Sequence, residues 1–215
     1  MIDLHSHTLF SDGELLPAEL ARRAEAAGYE ALAFTDHVDS SRLEFVVKGL
    51  VKAVKDLQPH YRMLLLPGVE VTHCPPDQIA EVIGDARALG AKIVLVHGET
   101  LSEPVKPGTD MAAIMGGADV LAHPGLITEE EATLAAKKGV CLEISGRSGH
   151  SLSNGHVAAR AKAAGANLVF GTDTHSPDNI LTLEKATRIA RGAGLTSEEA
   201  AKLFERAREF FGERE

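Results

Sequence analysis

Nine side chains able to bind a metal are dealt out along this chain, one short motif at a time. They are His5 and His7 in DLHSH, Asp12 in SDG, His37 in TDH, Glu70 in GVE, His97 in VHG, His123 in AHP, and Asp173 with His175 in TDTH. Apart from Asp12, which follows His7 in a loop, each group follows a short run rich in Val, Ile, Leu and Ala. Short apolar runs that end on polar donors mark parallel strands with their chemistry at the carboxyl ends, where loops from distant parts of the chain meet. One His-x-His would carry little weight. The same placement repeated at strand after strand points to a polynuclear metal site.

The pattern predicts strands over Ile2–His5, Ala31–Asp36, Arg62–Val71, Lys92–His97, Asp119–His123, Val140–Ser145 and Asn167–Thr172, the third broken at Pro67–Gly68. Between them lie predicted helices over Pro17–Gly28, Arg42–Leu57, Asp77–Gly90, Met111–Met115, Thr128–Gly139, Asn154–Gly165 and Leu181–Gly194. Ser197–Phe211 is a last amphipathic helix. Asp178 or Asn179 is the expected cap for the final barrel helices. Strands alternating with helices imply a parallel sheet with crossover connections. An open sheet would gather ligands near one switch point. Here nearly every strand contributes, so the expected fold is α/β, a distorted seven-stranded (β/α)7 barrel, TIM-barrel-like. The loops Ser102–Gly108 and Gly146–Gly155 are candidate walls or lids.

At 215 residues the chain reads as a single domain over 1–215. No apolar run approaches the roughly 18 residues that a membrane helix needs. The first strand begins at Ile2, leaving no room for a signal peptide, and Cys74 and Cys141 have no CxxC partner. A cytoplasmic location is the expectation. A net charge of −9 argues against a broad surface for polymeric nucleic acid, which favours a basic stripe. It leaves phosphate open, because bound ions would dominate the field inside the site.

His5 and His7 are two apart, so on an extended segment both rings face one way. Asp3 shares their parity and is placed to orient a ligand imidazole through its other N–H. Glu70 has two oxygens and could bridge two ions. Adjacent strand residues point oppositely, so His37 is taken as the ligand and Asp36 as its support. Arg147 follows the sixth strand, where a guanidinium could grip a phosphate. Glu143 is placed either to hold Arg147 or to orient a metal ligand. Arg42, Lys106 and His150 sit in loops that could face the mouth, while His60, His73 and His156 read as surface or helix residues.

The segments DLHSHTLFSDG, FTDH, PGVE, VHG, AHP and GTDTH resemble the ordered motifs of the PHP (polymerase and histidinol phosphatase) family, from Ile2 to about Ser176. The resemblance implies a seven-stranded distorted barrel, in agreement with the strand count. It also implies three metal positions. His5, His7, Glu70 and Asp173 would hold one ion. Glu70, His97 and His123 would hold a second, and Asp12, His37 and His175 a third. Some members carry histidine where this chain has Asp12, which makes its third position richer in oxygen.

The expected cofactors are two to three divalent ions (Zn, Mn or Fe). The expected reaction is hydrolysis of a small-molecule phosphate ester, histidinol-phosphate-like or nucleotide-like, by metal-activated hydroxide, with a metal-bound water, Asp12 or His175 able to protonate the leaving alcohol. Two rivals are an amidohydrolase-type hydrolase and a non-catalytic metal-binding or regulatory protein. The first typically places a bridging lysine after a middle strand, and none follows strand three or four here. The second would be expected to lose ligands, and every expected position is filled.

Overall fold

The computed structural model describes residues 1–212. Its strands are β1 (Ile2–Asp3), β2 (Ala31–Phe34), β3 (His37–Val38), β4 (Leu64–Val71), β5 (Ile93–His97), β6 (Val120–Ala122), β7 (Cys141–Ser145) and β8 (Leu168–Gly171). All pairings are parallel, in the order β1-β2-β4-β5-β6-β7-β8. The short β3 pairs with β4 beyond the end of β2, so these eight segments fill seven positions. β8 returns to the first strand: Asp173 N donates to the His5 carbonyl at 2.9 Å and His7 N to the Thr174 carbonyl at 2.8 Å. The result is a nearly closed α/β barrel, as the strand-end pattern predicts.

The helices are α1 (Pro17–Ala26), α2 (Leu43–Leu57), α3 (Pro76–Leu89), α4 (Thr109–Gly116), α5 (Glu129–Lys138), α6 (Asn154–Ala164), α7 (Leu183–Gly192) and α8 (Ser197–Glu209). Their boundaries follow local chemistry. Thr128 with Glu131, and Thr196 with Glu199, form capping boxes that satisfy free amides at the starts of α5 and α8. The Thr182 side chain caps α7, not Asp178 or Asn179 as expected. Asn179 instead completes a turn begun by Ser176.

One predicted break does not occur, since β4 runs unbroken through Pro67 and Gly68. The Pro67 carbonyl faces β5 and accepts from Lys92 N at 2.8 Å, one residue before β5 begins. The missing proline N–H therefore falls where no partner strand yet asks for it.

Apolar side chains form two layers. Leu32, Phe34, Val69, Val94, Val96, Leu121, Leu142, Ile144 and Phe170 face outward and pack under the helices. Ile2, Leu4, Ala31, Ala33, Ile93, Leu95, Val120, Cys141 and Val169 fill the barrel, and Ala207, Phe210 and Phe211 belong to this second cluster. Here α8 packs against β8 and β1. The interior is thus apolar at the amino ends of the strands, and polar groups are left for the carboxyl ends.

Candidate metal centre

The nine candidate donors converge at the carboxyl ends of the strands. His5 and His7 follow β1, His37 lies in β3, Glu70 in β4 and His97 at the end of β5. His123 follows β6, and Asp173 and His175 follow β8. Glu70 is at the middle and fully buried. Its Oε2 is 3.3 Å from His5 Nε2 and 3.6 Å from His7 Nε2, and its Oε1 is 3.4 Å from His123 Nε2. Asp173 Oδ1 lies 3.4 Å from His7 Nε2 and 3.8 Å from His5 Nε2. Asp12 Oδ1 lies 3.2 Å from His175 Nε2 and 3.5 Å from His37 Nε2.

Backbone conformation aims these groups. The non-glycine residues in the left-handed region are His73, His123 and Asp173, with φ of 52°, 31° and 54°. Strain of this kind persists only where the surroundings hold it, and all three stand at the mouth. Gly171 is needed for a different reason. A Cβ there would sit 1.9 Å from Glu143 Oε1 and 2.7 Å from His5 Cβ, so only glycine lets these side chains pass.

Glu143 reaches through that gap to His5 Nδ1 at 2.7 Å, and its other oxygen accepts from His123 N at 3.0 Å. It holds His5, not Arg147. Asp3 does not touch an imidazole. It accepts from the backbone amides of His5 and Thr172 and from the Thr172 hydroxyl, which ties the β1–β8 seam. Asp36 supports no imidazole by a hydrogen bond either. It accepts from Thr8 N, Thr8 Oγ1 and Ser11 Oγ, and so fixes the loop that carries Asp12. Both carboxylates are spent on backbone amides and hydroxyls.

Burial and charge oppose each other here. Burial would lower the His5 pKa, but Glu143, Glu70 and Asp173 outweigh it and hold that ring well above the usual imidazole range. His7 is pushed down to about 3 by burial and by its neighbour His37, so it is neutral and keeps a lone pair. Burial would raise Glu70 and Asp173, but the surrounding imidazoles hold both below the usual carboxylate range.

Six buried atoms among the described residues make no aligned hydrogen bond, although His37 Nδ1 lies 2.9 Å from Glu70 Oε2: they are His5 Nε2, His7 Nδ1, His7 Nε2, both oxygens of Glu70, and His123 Nδ1. All six belong to this cluster. Leaving a buried polar group unmade costs about 1–3 kcal/mol. Buried nitrogen and carboxylate donors that face one another out of hydrogen-bond alignment fit divalent transition metals. The donors fall into close groups, His5–His7–Glu70, His5–His123–Asp173 and His7–Asp12–His37–His175 among them.

The mouth is a cavity of about 440 Å³. Arg147 lines it, and its Nη1 donates to the Asp173 carbonyl at 3.2 Å and rests against His175 Nδ1. Arg42 also lines it, donating to the Phe10 carbonyl at 3.0 Å while its guanidinium lies over the Phe45 ring. Lys106 is not brought to the cavity. It stands exposed where its loop turns back, its carbonyl accepting from Thr109.

Four further residues stand at the mouth. His150 lines it directly. Glu103 comes from the two-proline loop and lies 3.2 Å from His97 Nε2 and 3.3 Å from His73 Nε2, and contact with His97 draws its pKa down to about 2. His73 is therefore a mouth residue, not an isolated surface one. Thr72 Oγ1 is 2.6 Å from His37 Nδ1. Glu103 and Thr72 carry no motif, so only the folded loops reveal them.

A barrel whose strand ends carry clustered imidazoles and carboxylates presents a candidate metal centre. The chain belongs to the PHP domain family, whose profile matches residues 3–215. It is 42% identical over 199 residues to an uncharacterized protein of Methanocaldococcus jannaschii, covering 92% of this chain and 91% of that one. It is 26% identical over 239 residues to a probable phosphatase of Shewanella frigidimarina, covering 92% and 87%. Among solved structures, a chain of an archaeal ribonuclease P with mature tRNA superposes with TM-score 0.75 at 17% identity, covering 96% of this chain and 89% of that one. The histidinol phosphate phosphatase of Lactococcus lactis, solved with zinc, L-histidinol and phosphate, superposes with TM-score 0.62 at 17% identity, covering 91% and 94%. At that identity the likeness shows the fold alone.

Proposed function

We propose that this chain is a metal-dependent phosphoesterase that hydrolyses a small phosphomonoester, histidinol-phosphate-like or nucleotide-like, with residues 1–215 acting as one domain. The observation that carries this reading is the set of six donor atoms buried together at the strand ends without an aligned hydrogen bond. The phosphatase names of the Shewanella and Lactococcus proteins point the same way.

In this reading His5, His7, Glu70 and Asp173 hold one ion, Glu70, His97 and His123 a second, and Asp12, His37 and His175 a third. Zinc, manganese or iron suits the imidazole-rich donors. Bound ions supply Lewis-acid charge neutralisation and lower the pKa of water. The chain's own residues do the rest. Glu143 fixes the His5 ring, and Asp36 fixes the loop of Asp12. Arg147 turns from Asp173 towards an incoming phosphate and orients it by charge-assisted hydrogen bonds. Asp12 and His175, 3.2 Å apart at the open edge, are placed to pass a proton to the leaving oxygen. The two cysteines are free and buried, as suits a cytoplasmic protein. No described helix is long and apolar enough to cross a membrane.

The test is a panel of phosphomonoesters assayed with Zn, Mn, Fe and Mg. Release of inorganic phosphate that depends on added metal supports the reading. No release from any substrate with any metal defeats it. The amidohydrolase alternative expects a lysine at the mouth, and among the described residues none lines the cavity.

A further inference from the structure

The nine strand-end donors do not exhaust the nitrogen at this site. His150 comes from the loop after β7 and has no place in the strand-end motifs. It is 4% exposed and lines the cavity. Its ring stacks on His123 with centroids 4.0 Å apart and planes 15° apart. The donor atoms of His97, His123 and His150 all lie within 4.8 Å of one another.

The orientation of His150 matches that of three strand-end histidines, His5, His37 and His97. A ligating imidazole engages one ring nitrogen with a protein partner and presents the other. His5 Nδ1 meets Glu143 at 2.7 Å, His37 Nδ1 meets Thr72 at 2.6 Å, and His97 Nδ1 meets the Gly98 carbonyl at 3.2 Å. His150 does the same, with Nδ1 at 2.6 Å from Thr100 Oγ1. Its Nε2 is left facing the cavity, 3.6 Å from Glu103 Oε1 and 3.7 Å from Asp173 Oδ2. Both distances are too long for hydrogen bonds.

The loop is also built to keep His150 there. Asn154 is buried just behind it, and its side chain accepts from Ser145 N at 3.0 Å and donates to the Ser145 carbonyl at 2.8 Å. That pair pins the loop to the end of β7. Ser153 is buried with it.

We propose that His150 is a metal ligand, completing a three-imidazole position with His97 and His123. This rests on the reading of the mouth as a metal centre. Three imidazole nitrogens beside the Glu70 carboxylate favour zinc, iron or cobalt over magnesium at this position. Thr100 is its positioning residue.

The test is binding of Co²⁺ and Zn²⁺ to protein stripped with chelator, followed by visible absorbance for cobalt and by metal analysis for stoichiometry. Wild type, His150→Ala, His150→Phe and the exposed-site control His60→Ala are compared. Phenylalanine keeps a ring stacked on His123 and removes both ring nitrogens, Nε2 at the cavity and Nδ1 against Thr100. The expected result is that both His150 variants lose about one ion per chain, or weaken one binding step at least about tenfold, with a changed cobalt spectrum. The control should bind like wild type. If His150→Phe binds both metals as wild type does, His150 is a packing residue and the proposal is overturned. If wild type itself binds no transition metal, the reading of the whole mouth falls with it, a result that cannot be mistaken for the first.

Discussion

The two ends of the barrel are made by opposite rules. At the amino ends Ile2, Ala31, Ile93, Val120 and Cys141 fill the interior, and Phe210 and Phe211 pack against their cluster. At the carboxyl ends His5, His7 and Glu70 are equally buried, yet carry donor atoms with no aligned hydrogen bond. Burial of apolar surface stabilises by roughly 25 cal/mol per Å². Burial of an unmade polar group costs free energy. One end therefore holds the fold together, while the other is held in place by it. On this account stability and chemistry should be separable, each open to change without the other.

The sharpest way to break this comparison is at Glu70. Glu70→Gln removes the carboxylate that faces His5, His7 and His123. Phosphate release should fall by at least about a hundredfold and bound metal should drop, while folding survives. Metal analysis and circular dichroism check this together. Ile93→Ala probes the opposite end. Ile93 opens β5 and is fully buried, and the loss should cost about 2–5 kcal/mol in urea unfolding. Metal content of the folded fraction should not change. If metal is lost in step with stability, the two ends are coupled and the division fails.

A smaller effect is expected at the rim. Arg147→Ala should leave bound metal intact and lower kcat/KM by one to two decades, about 1.5–3 kcal/mol, mainly through KM. Wild-type kinetics on every cleaved ester would move the phosphate grip elsewhere, with Arg42 next in line.

The smallest effect concerns the seam between the two ends. Burial pushes the Asp3 carboxyl up to about 6, opposed by its hydrogen bonds from Thr172. Its folded pKa is thus raised above the unfolded value, so the folded state binds this proton more tightly. The stabilisation from protonated Asp3 is present below about pH 4 and is lost as pH rises through about 6. Melting of the metal-free protein from pH 4 to 7 should show this as a slope on the order of 1 kcal/mol per pH unit. Asp3→Asn should flatten that part of the profile. An unchanged slope would mean that Asp3 does not titrate there.

The sequence makes the two ends unequally legible. Apolar runs such as KIVLVHG place both the strand and its terminal donor, because strand period and strand end are local properties. Each helix forms close to where capping residues and apolar spacing put it. The strand after His60 shows the limit: Pro67 reads as a break because a sequence cannot say that β5 has only just begun beside it. Support of the donors is less legible still. Asp3 and Asp36 are adjacent to ligands in sequence but spend their oxygens on backbone amides and hydroxyls. The carboxylate that orients His5 is Glu143, some 138 positions away, admitted by the bare Cα of Gly171. Glu103 and His150 reach the mouth through irregular loops, whose course depends on contacts such as Asn154 with Ser145.

The account turns on whether the buried donors hold metal. Protein purified without chelator and measured by elemental analysis should carry two to three transition-metal ions per chain. Stripping them should abolish phosphate release, and adding Zn, Mn or Fe should restore it. Fully folded protein that carries no metal, and takes up none on reconstitution, would contradict the central claim.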